Sequence, residues 1–237
     1  MRRQLIDYWL RKKNLTSAPL NGPYLEAALE RLKTRNIRFS TIIDVGASNG
    51  CWSKKILHHH SEARCLCIEA QPAHEPALKK FLADYPQAEY VLAAAGGKEG
   101  QIHFDASDLF GGLASDRPFA KGDIVVPVTT IDRQVVQRSL PPPSLINLDT
   151  HGYELPILSG ARRTLEQTEV LIIEVYNFDI APTAVRFAEL STRLEAQGFR
   201  CVDIFDLLYR PHDNAFWQMD MMFIRSNRQE FQYNEYV

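Results

Sequence analysis

Thr41-Ile42-Ile43-Asp44-Val45-Gly46-Ala47-Ser48-Asn49-Gly50 constrains the fold of this chain more than any other stretch. A short β-branched, apolar run ends in an acid. A tight turn bounded by two glycines follows, and then a helix-like segment. A buried parallel strand brings a nucleotide-like ligand to its C-terminal edge in this way. A second apolar run, Cys65-Leu66-Cys67-Ile68, ends in Glu69. An acid about twenty residues after such a turn can accept hydrogen bonds from ribose hydroxyls.

The glycine pattern separates candidate ligands. A dinucleotide fold reads G-x-G-x-x-G, because its pyrophosphate lies against backbone at a helix N-terminus. Here Ala47, Ser48 and Asn49 fill the turn, and the middle glycine is missing. S-adenosylmethionine (SAM) carries no phosphate, so a loop poorer in glycine suits it, with Asp44 near its cationic tail. A generic strand-turn-helix is the plainer reading of Gly46 and Gly50 alone. The acids before and after the loop favour the cofactor.

Alternating strand-like and helix-like segments run from Thr41 to about Arg200. Strands are expected at 41–45, 64–69, 89–94, 145–148 and 170–175. A closing antiparallel pair is expected at 200–205 and 217–224. Helices are expected at 52–58, from Pro76 to Ala83, from Thr130 as N-cap, from Glu154 to Leu165, and at 183–197 before Gly198. Gln101–Phe104 and Ile124–Val128 alternate in polarity as an extra hairpin. The Gly/Ser/Asp-rich segment between them, 107–123, is a candidate substrate loop. Pro141-Pro142-Pro143 marks a hard break. This order predicts a three-layer αβα, doubly wound sheet, mostly parallel, over residues 41–237. Residues 1–40 form a helical extension.

Net charge is −2, so no global basic field attracts nucleic acid. No apolar run reaches a membrane span of about 18 residues and no signal peptide is visible. Leu5, Ile6, Trp9 and Leu10 form one side of a short amphipathic N-terminal helix. The four cysteines show no paired framework, with Cys65 and Cys67 on one strand face in the core, which fits a reducing cytoplasm. A homo-oligomer stays open. His58-His59-His60 does not face one ion, since consecutive helical residues point about 100° apart. A solvated helix C-terminus that favours imidazolium is expected there.

In such a sheet ligands lie across the carboxyl ends of the strands. Asp44, Glu69, Ala94, Asp149 and Glu174 stand there. Asp149 and His151, two apart on one turn, are the candidates to take a proton from an acceptor hydroxyl. The plainer alternative has Asp149 capping a helix and His151 in a solvated loop. Tyr153, Glu174, Tyr176, Asn177 and Trp217 are candidate acceptor contacts, with Trp217 stacking on a flat or sugar-like face. Asp149, Glu174 and Asp220 are a further option, as an oxygen-rich Mg²⁺ site. The main expectation is metal-free.

The chain resembles the FkbM-type SAM-dependent methyltransferases. The carriers are Ile43–Gly50, Ile68-Glu69-Ala70-Gln71-Pro72, Ala93-Ala94-Ala95, Thr130-Ile131-Asp132, Leu148-Asp149-Thr150-His151-Gly152-Tyr153-Glu154 with Leu158-Gly160-Ala161, and Ile172-Ile173-Glu174-Val175. The resemblance implies a Rossmann-like class I fold with seven strands and an antiparallel closing strand. It implies methyl transfer to a hydroxyl of a small molecule, sugar, glycolipid or polyketide-type metabolite. It also implies that the loop Asp44, Gly46, Ala47, Ser48, Asn49 and Gly50, with Glu69, holds SAM; Ala70, Ala94 and Asp149, beside the same strand ends, are further candidate cofactor contacts. Asn147 and His151 depart from the family's frequent Lys and Glu or Gln. Two other readings stay open: a SAM-binding protein without catalysis, and a nicotinamide-dependent reductase.

Overall fold

The computed structural model describes residues 23–142 and 144–235. Strand β1 (Thr41–Val45) lies between β2 (Arg64–Glu69) and β8 (Leu145–Leu148), parallel to both. The main sheet has seven strands in the order β10-β11-β9-β8-β1-β2-β3. Here β3 is Ala88–Leu92, β9 Val170–Tyr176, β10 Phe199–Tyr209 and β11 Phe216–Arg225. Only β11 runs antiparallel to its neighbours, β9 and β10. The chain winds outward from β1 to β3, then returns to the other side of β1 at β8. The connections diverge there, which opens a crevice at the strand ends.

Side chains alternate across a strand, so each core strand feeds both faces of the sheet. Ile42, Cys65, Cys67, Leu145 and Ile172 enter one core, with Leu29 and Leu32 of α1 (Leu25–Lys33), Ile56 of α2 (Cys51–His59) and Leu78 of α3 (Glu75–Asp84). Ile43, Leu66, Ile146, Leu148, Leu171 and Ile173 enter the other. There they meet Ile131 of α4 (Ile131–Gln137), Ile157 of α5 (Glu154–Ser159), Leu165 of α6 (Arg162–Leu165) and Leu190 of α7 (Phe187–Glu195). The result is the expected three-layer α/β arrangement. Parallel strands buried on both faces read as continuous apolar runs, which is why these segments stand out in the sequence.

Helix α1 buries Leu25, Ala28, Leu29 and Leu32 in the first core. Arg31 adds a two-pronged bond to Asp203 of β10, at 2.6 and 2.9 Å, and Glu26 pairs with the buried Lys55 of α2. The expected helix around Leu5, Ile6, Trp9 and Leu10 lies outside the described residues. No helix among the described residues is long and apolar enough to cross a membrane.

Several local expectations are corrected. The third strand breaks at Ala93, and its end, β4 (Ala94–Ala95), joins a second sheet in the order β4-β7-β5-β6. The expected hairpin is β5 (Gly100–Asp105) with β7 (Asp123–Thr129), and β6 (Leu113–Ser115) extends it. The helix expected from Glu154 to Leu165 is interrupted at Gly160. A Cβ there would lie 2.0 Å from the Gly96 carbonyl oxygen, so the backbones approach too closely for another residue type. The helix expected at 183–197 shortens to α7, which starts after Arg186, since Arg186 is extended and bridges Tyr176 at the end of β9. His60 is not solvated as expected. Its ring packs on Phe39, centroids 4.2 Å apart, and burial pushes its pKa down to about 4, so imidazolium is disfavoured.

Candidate active site

The switch point between β1 and β8 shapes the site. Asp149 N–H donates to the Val45 carbonyl at 3.0 Å, joining the two strand ends. Gly46 has φ +78°, and a Cβ on it would lie 2.0 Å from the Asp149 carbonyl oxygen. Only glycine lets the loop after β1 pass so close to the loop after β8.

The backbone N–H groups of that loop point inward. Gly46 and Ala47 donate to the Ile68 carbonyl at 2.9 and 3.3 Å, and Gly50 to Ala47 at 2.8 Å. Ser48 donates to Glu69 Oε2 at 2.7 Å, and Cys51 to Asn49 Oδ1 at 3.1 Å. Donors spent in this way are withheld from a phosphate. Glu69 Oε1 also accepts from Gln71 N–H at 2.7 Å. Glu69 is only 5% exposed, and burial raises its pKa against the pull of these two bonds.

A cleft of about 650 Å³, its open mouth included, runs along the strand ends. Of the residues read from the sequence, Gly46, Ser48, Glu69, Ala70, Ala94, Asp149, His151 and Tyr153 line it. Ala47, Asn49 and Gly50 shape the loop behind its wall. Asp44 is placed differently from expectation: it is fully buried and does not line the cleft. It accepts from Ser53 Oγ of α2 at 2.5 Å and from Asn147 Nδ2 of β8 at 2.9 Å. Burial pushes its pKa up to about 6, opposed by those two bonds. Its position, two residues after Ile42, puts its side chain on the α2 face of the sheet.

At the far end of the cleft, His151 brings two strand ends together. Its backbone is left-handed, φ +51°. Its Nε2 lies 3.7 Å from Asp149 Oδ1 and 3.5 Å from Glu174 Oε2. Its Nδ1 is 3.1 Å from the Gly112 carbonyl, which only accepts, so Nδ1 carries a hydrogen. Glu174 is buried and accepts from the Tyr176 hydroxyl and the Gln218 amide. Burial first, and then the neighbouring Glu174, raise the Tyr176 pKa well above its usual value. Glu154 accepts from Gly152 N–H at 2.8 Å, and burial raises its pKa.

Glu174 and Tyr176 therefore stand behind His151 rather than on the cleft wall. Trp217 stacks on Phe178, centroids 5.1 Å apart, and meets the edge of Tyr176. Asn177 Nδ2 donates to the Phe216 carbonyl at 3.3 Å. Both lie beyond the cleft lining. Asp220 sits opposite Glu174 in register. The group whose ligand atoms lie within 4.8 Å of one another has His151 as its third member, not Asp220.

The segment 107–123, expected as a substrate loop, supplies a roof that the sequence did not place over the cleft. Residues 107–112 cross the cleft, with Leu109, Phe110 and Gly112 in its lining. Gln71 Nε2 donates to the Asp108 carbonyl at 3.1 Å, and His74 Nε2 to the Leu109 carbonyl at 2.7 Å. The turn after Glu69 and His151 thus hold the two ends of this strap. Apolar Leu109 and Phe110 inside a polar loop were the available signal.

Residues 44–201 match the methyltransferase FkbM domain. The chain belongs to the FkbM methyltransferase family. Its α/β sheet has the fold of a methyltransferase domain. An FkbM methyltransferase from Methylobacillus flagellatus superposes with a TM-score of 0.55 at 19% identity, covering 86% of this chain and 48% of that one. This chain thus spans about half the length of that structure. The Methanococcus jannaschii fibrillarin pre-rRNA processing protein gives a TM-score of 0.50 at 14% identity, over 82% of this chain and 70% of that one. At these identities the likeness concerns the fold. A search of curated proteins finds no significant match.

Proposed function

We propose that this FkbM-family chain transfers the methyl group of SAM to a hydroxyl of a small-molecule acceptor of the sugar, glycolipid or polyketide type. One observation carries the choice of donor. The cleft is lined by Glu69 and Asp149, while no lysine or arginine among the described residues lines it, and the N–H groups of Gly46, Ala47, Ser48 and Gly50 are spent internally. That surface repels a pyrophosphate and complements an adenosine whose other end is cationic. It also disfavours the nicotinamide reading.

When bound, SAM supplies an electrophilic methyl carbon: its bond to sulfur breaks as a bond to the acceptor oxygen forms, and sulfur keeps the electron pair. The chain does the rest. Glu69 keeps free lone pairs toward the cleft and accepts from the ribose hydroxyls. The Leu109–Phe110 strap excludes water from the reacting end. Asp149 and His151 stand where the acceptor hydroxyl must lose its proton. Alignment of that oxygen with the methyl carbon supplies most of the rate.

The test incubates the chain with SAM and a panel of hydroxylated acceptors and measures the demethylated cofactor, S-adenosylhomocysteine. Turnover is expected, and Asp149→Ala lowers it about 100-fold, the scale for loss of a group handling the transferred proton. Full turnover in the variant contradicts the placement of the site.

A further inference from the structure

We infer that Asp149, His151 and Glu174 form a binding site for a divalent transition-metal cation at the acceptor end of the cleft. The cation's binding stands on this cluster alone. Its role deepens the methyl-transfer reading and rests on it.

Each residue offers one ligand atom, and the three atoms lie within 4.8 Å of one another. Two ligand atoms, each ~2.1 Å from a shared ion and 90–120° apart about it, are roughly 3.0–3.6 Å from each other. The distances from His151 Nε2 are 3.5 Å to Glu174 and 3.7 Å to Asp149. A proton on Nε2 would make charge-assisted hydrogen bonds of about 2.7–2.9 Å. The observed spacing is too wide for those and close to that of a shared ion.

The orientation of the ring supports the same occupant. Nδ1–H donates to the Gly112 carbonyl, so in the neutral ring Nε2 carries a lone pair directed between the two carboxylates. A ligating histidine is commonly held by such a bond from its other ring nitrogen to a carbonyl. Glu174 is buttressed in turn by the Tyr176 hydroxyl and the Gln218 amide. The left-handed backbone of His151 keeps the ring in this position. Without a cation, three electron-rich atoms converge in a half-buried place where repulsion is poorly screened. The nearby acids add to the field: burial chiefly raises the pKa of Asp44 and Glu69, and the Asp149 charge adds to it across the strand ends.

One nitrogen and two carboxylate oxygens suit Mn²⁺, Fe²⁺ or Zn²⁺ better than Mg²⁺, which prefers all-oxygen surroundings. Three protein ligands leave coordination positions open. An acceptor hydroxyl bound there would lose its proton more readily and be fixed near the methyl group. Asp149 and His151 would then act on the acceptor through the ion.

The full chain is titrated with Mn²⁺ alone, and free Mn²⁺ is followed by electron paramagnetic resonance. Binding of one ion per chain is expected, with ¹⁴N coupling from an imidazole in the spin-echo spectrum. Asp149→Asn and His151→Ala, checked for folding by circular dichroism, should each weaken binding at least tenfold. Absence of bound Mn²⁺, absence of the nitrogen coupling, or unchanged binding in both folded variants overturns the proposal. S-adenosylhomocysteine binding to the parent chain is measured separately. Mn²⁺ binding without it leaves the metal site and removes the methyl-transfer reading; the reverse result removes only the metal.

Discussion

Glu69→Gln tests the donor end of the cleft with the least change in shape. Both oxygens of Glu69 accept a backbone N–H at 2.7 Å, from Ser48 and from Gln71. In the amide one of those donors faces an NH₂ group instead. A buried donor left unpaired costs about 1–3 kcal/mol. Removal of a buried charge offsets part of this, since burial already raises the pKa of Glu69. A net stability loss on the order of 1–2 kcal/mol is expected. The loss in binding is larger. A hydrogen bond to a charged group contributes about 1.5–3 kcal/mol, and about 1.4 kcal/mol is tenfold in affinity, so S-adenosylhomocysteine should bind roughly 10–100-fold more weakly. Calorimetry at neutral pH reads the affinity, and urea unfolding of the same samples reads the stability. A folded variant that binds as tightly as the parent would refute the assignment of Glu69 to the ribose.

Two further substitutions test the architecture under the cleft. Gly46→Ala places a Cβ 2.0 Å from the Asp149 carbonyl oxygen at φ +78°. The left-handed backbone alone costs about 1–2 kcal/mol, and displacement of the β8 end adds to it, so a lower urea midpoint and weaker cofactor binding should appear together. Unchanged binding would separate the two loops. Asp44 has its pKa raised to about 6 in the fold, chiefly by burial. The folded state therefore holds the proton more tightly than the unfolded one, and this contribution to stability is full below about pH 4 and is lost as pH rises through about 6. Asp44→Asn should remove that slope. Relative to the variant, the parent should lose on the order of 2–3 kcal/mol between about pH 4 and pH 8 by urea unfolding, and a constant difference would refute the buried-acid account.

The strands were legible because β1, β2, β8 and β9 are apolar runs closed by polar residues, the mark of strands buried on both faces. The order of their connections placed the cleft. The break at Ala93 was not legible, since neither glycine nor proline marks it and the second sheet captures Ala94 and Ala95 by long-range pairing. Asp44 was misplaced although the signal was present: alternation from Ile42 turns it toward α2 and Ser53. The strap over the cleft depends on Gln71 and His74 reaching Asp108 and Leu109, contacts more than thirty residues apart that no local pattern announces. At the acceptor end the sequence paired Asp149 with His151 and grouped Asp149 with Glu174 and Asp220, but did not bring His151 together with Glu174. Their convergence depends on the left-handed turn at His151, which periodicity does not encode.

Calorimetric titration of the purified chain with SAM tests the central claim most directly. Saturable binding of one SAM per chain, with no heat from NAD under the same conditions, is the predicted result. A folded chain that binds no SAM, or that binds NAD in its place, would contradict the reading of the cleft from Gly46 to His151.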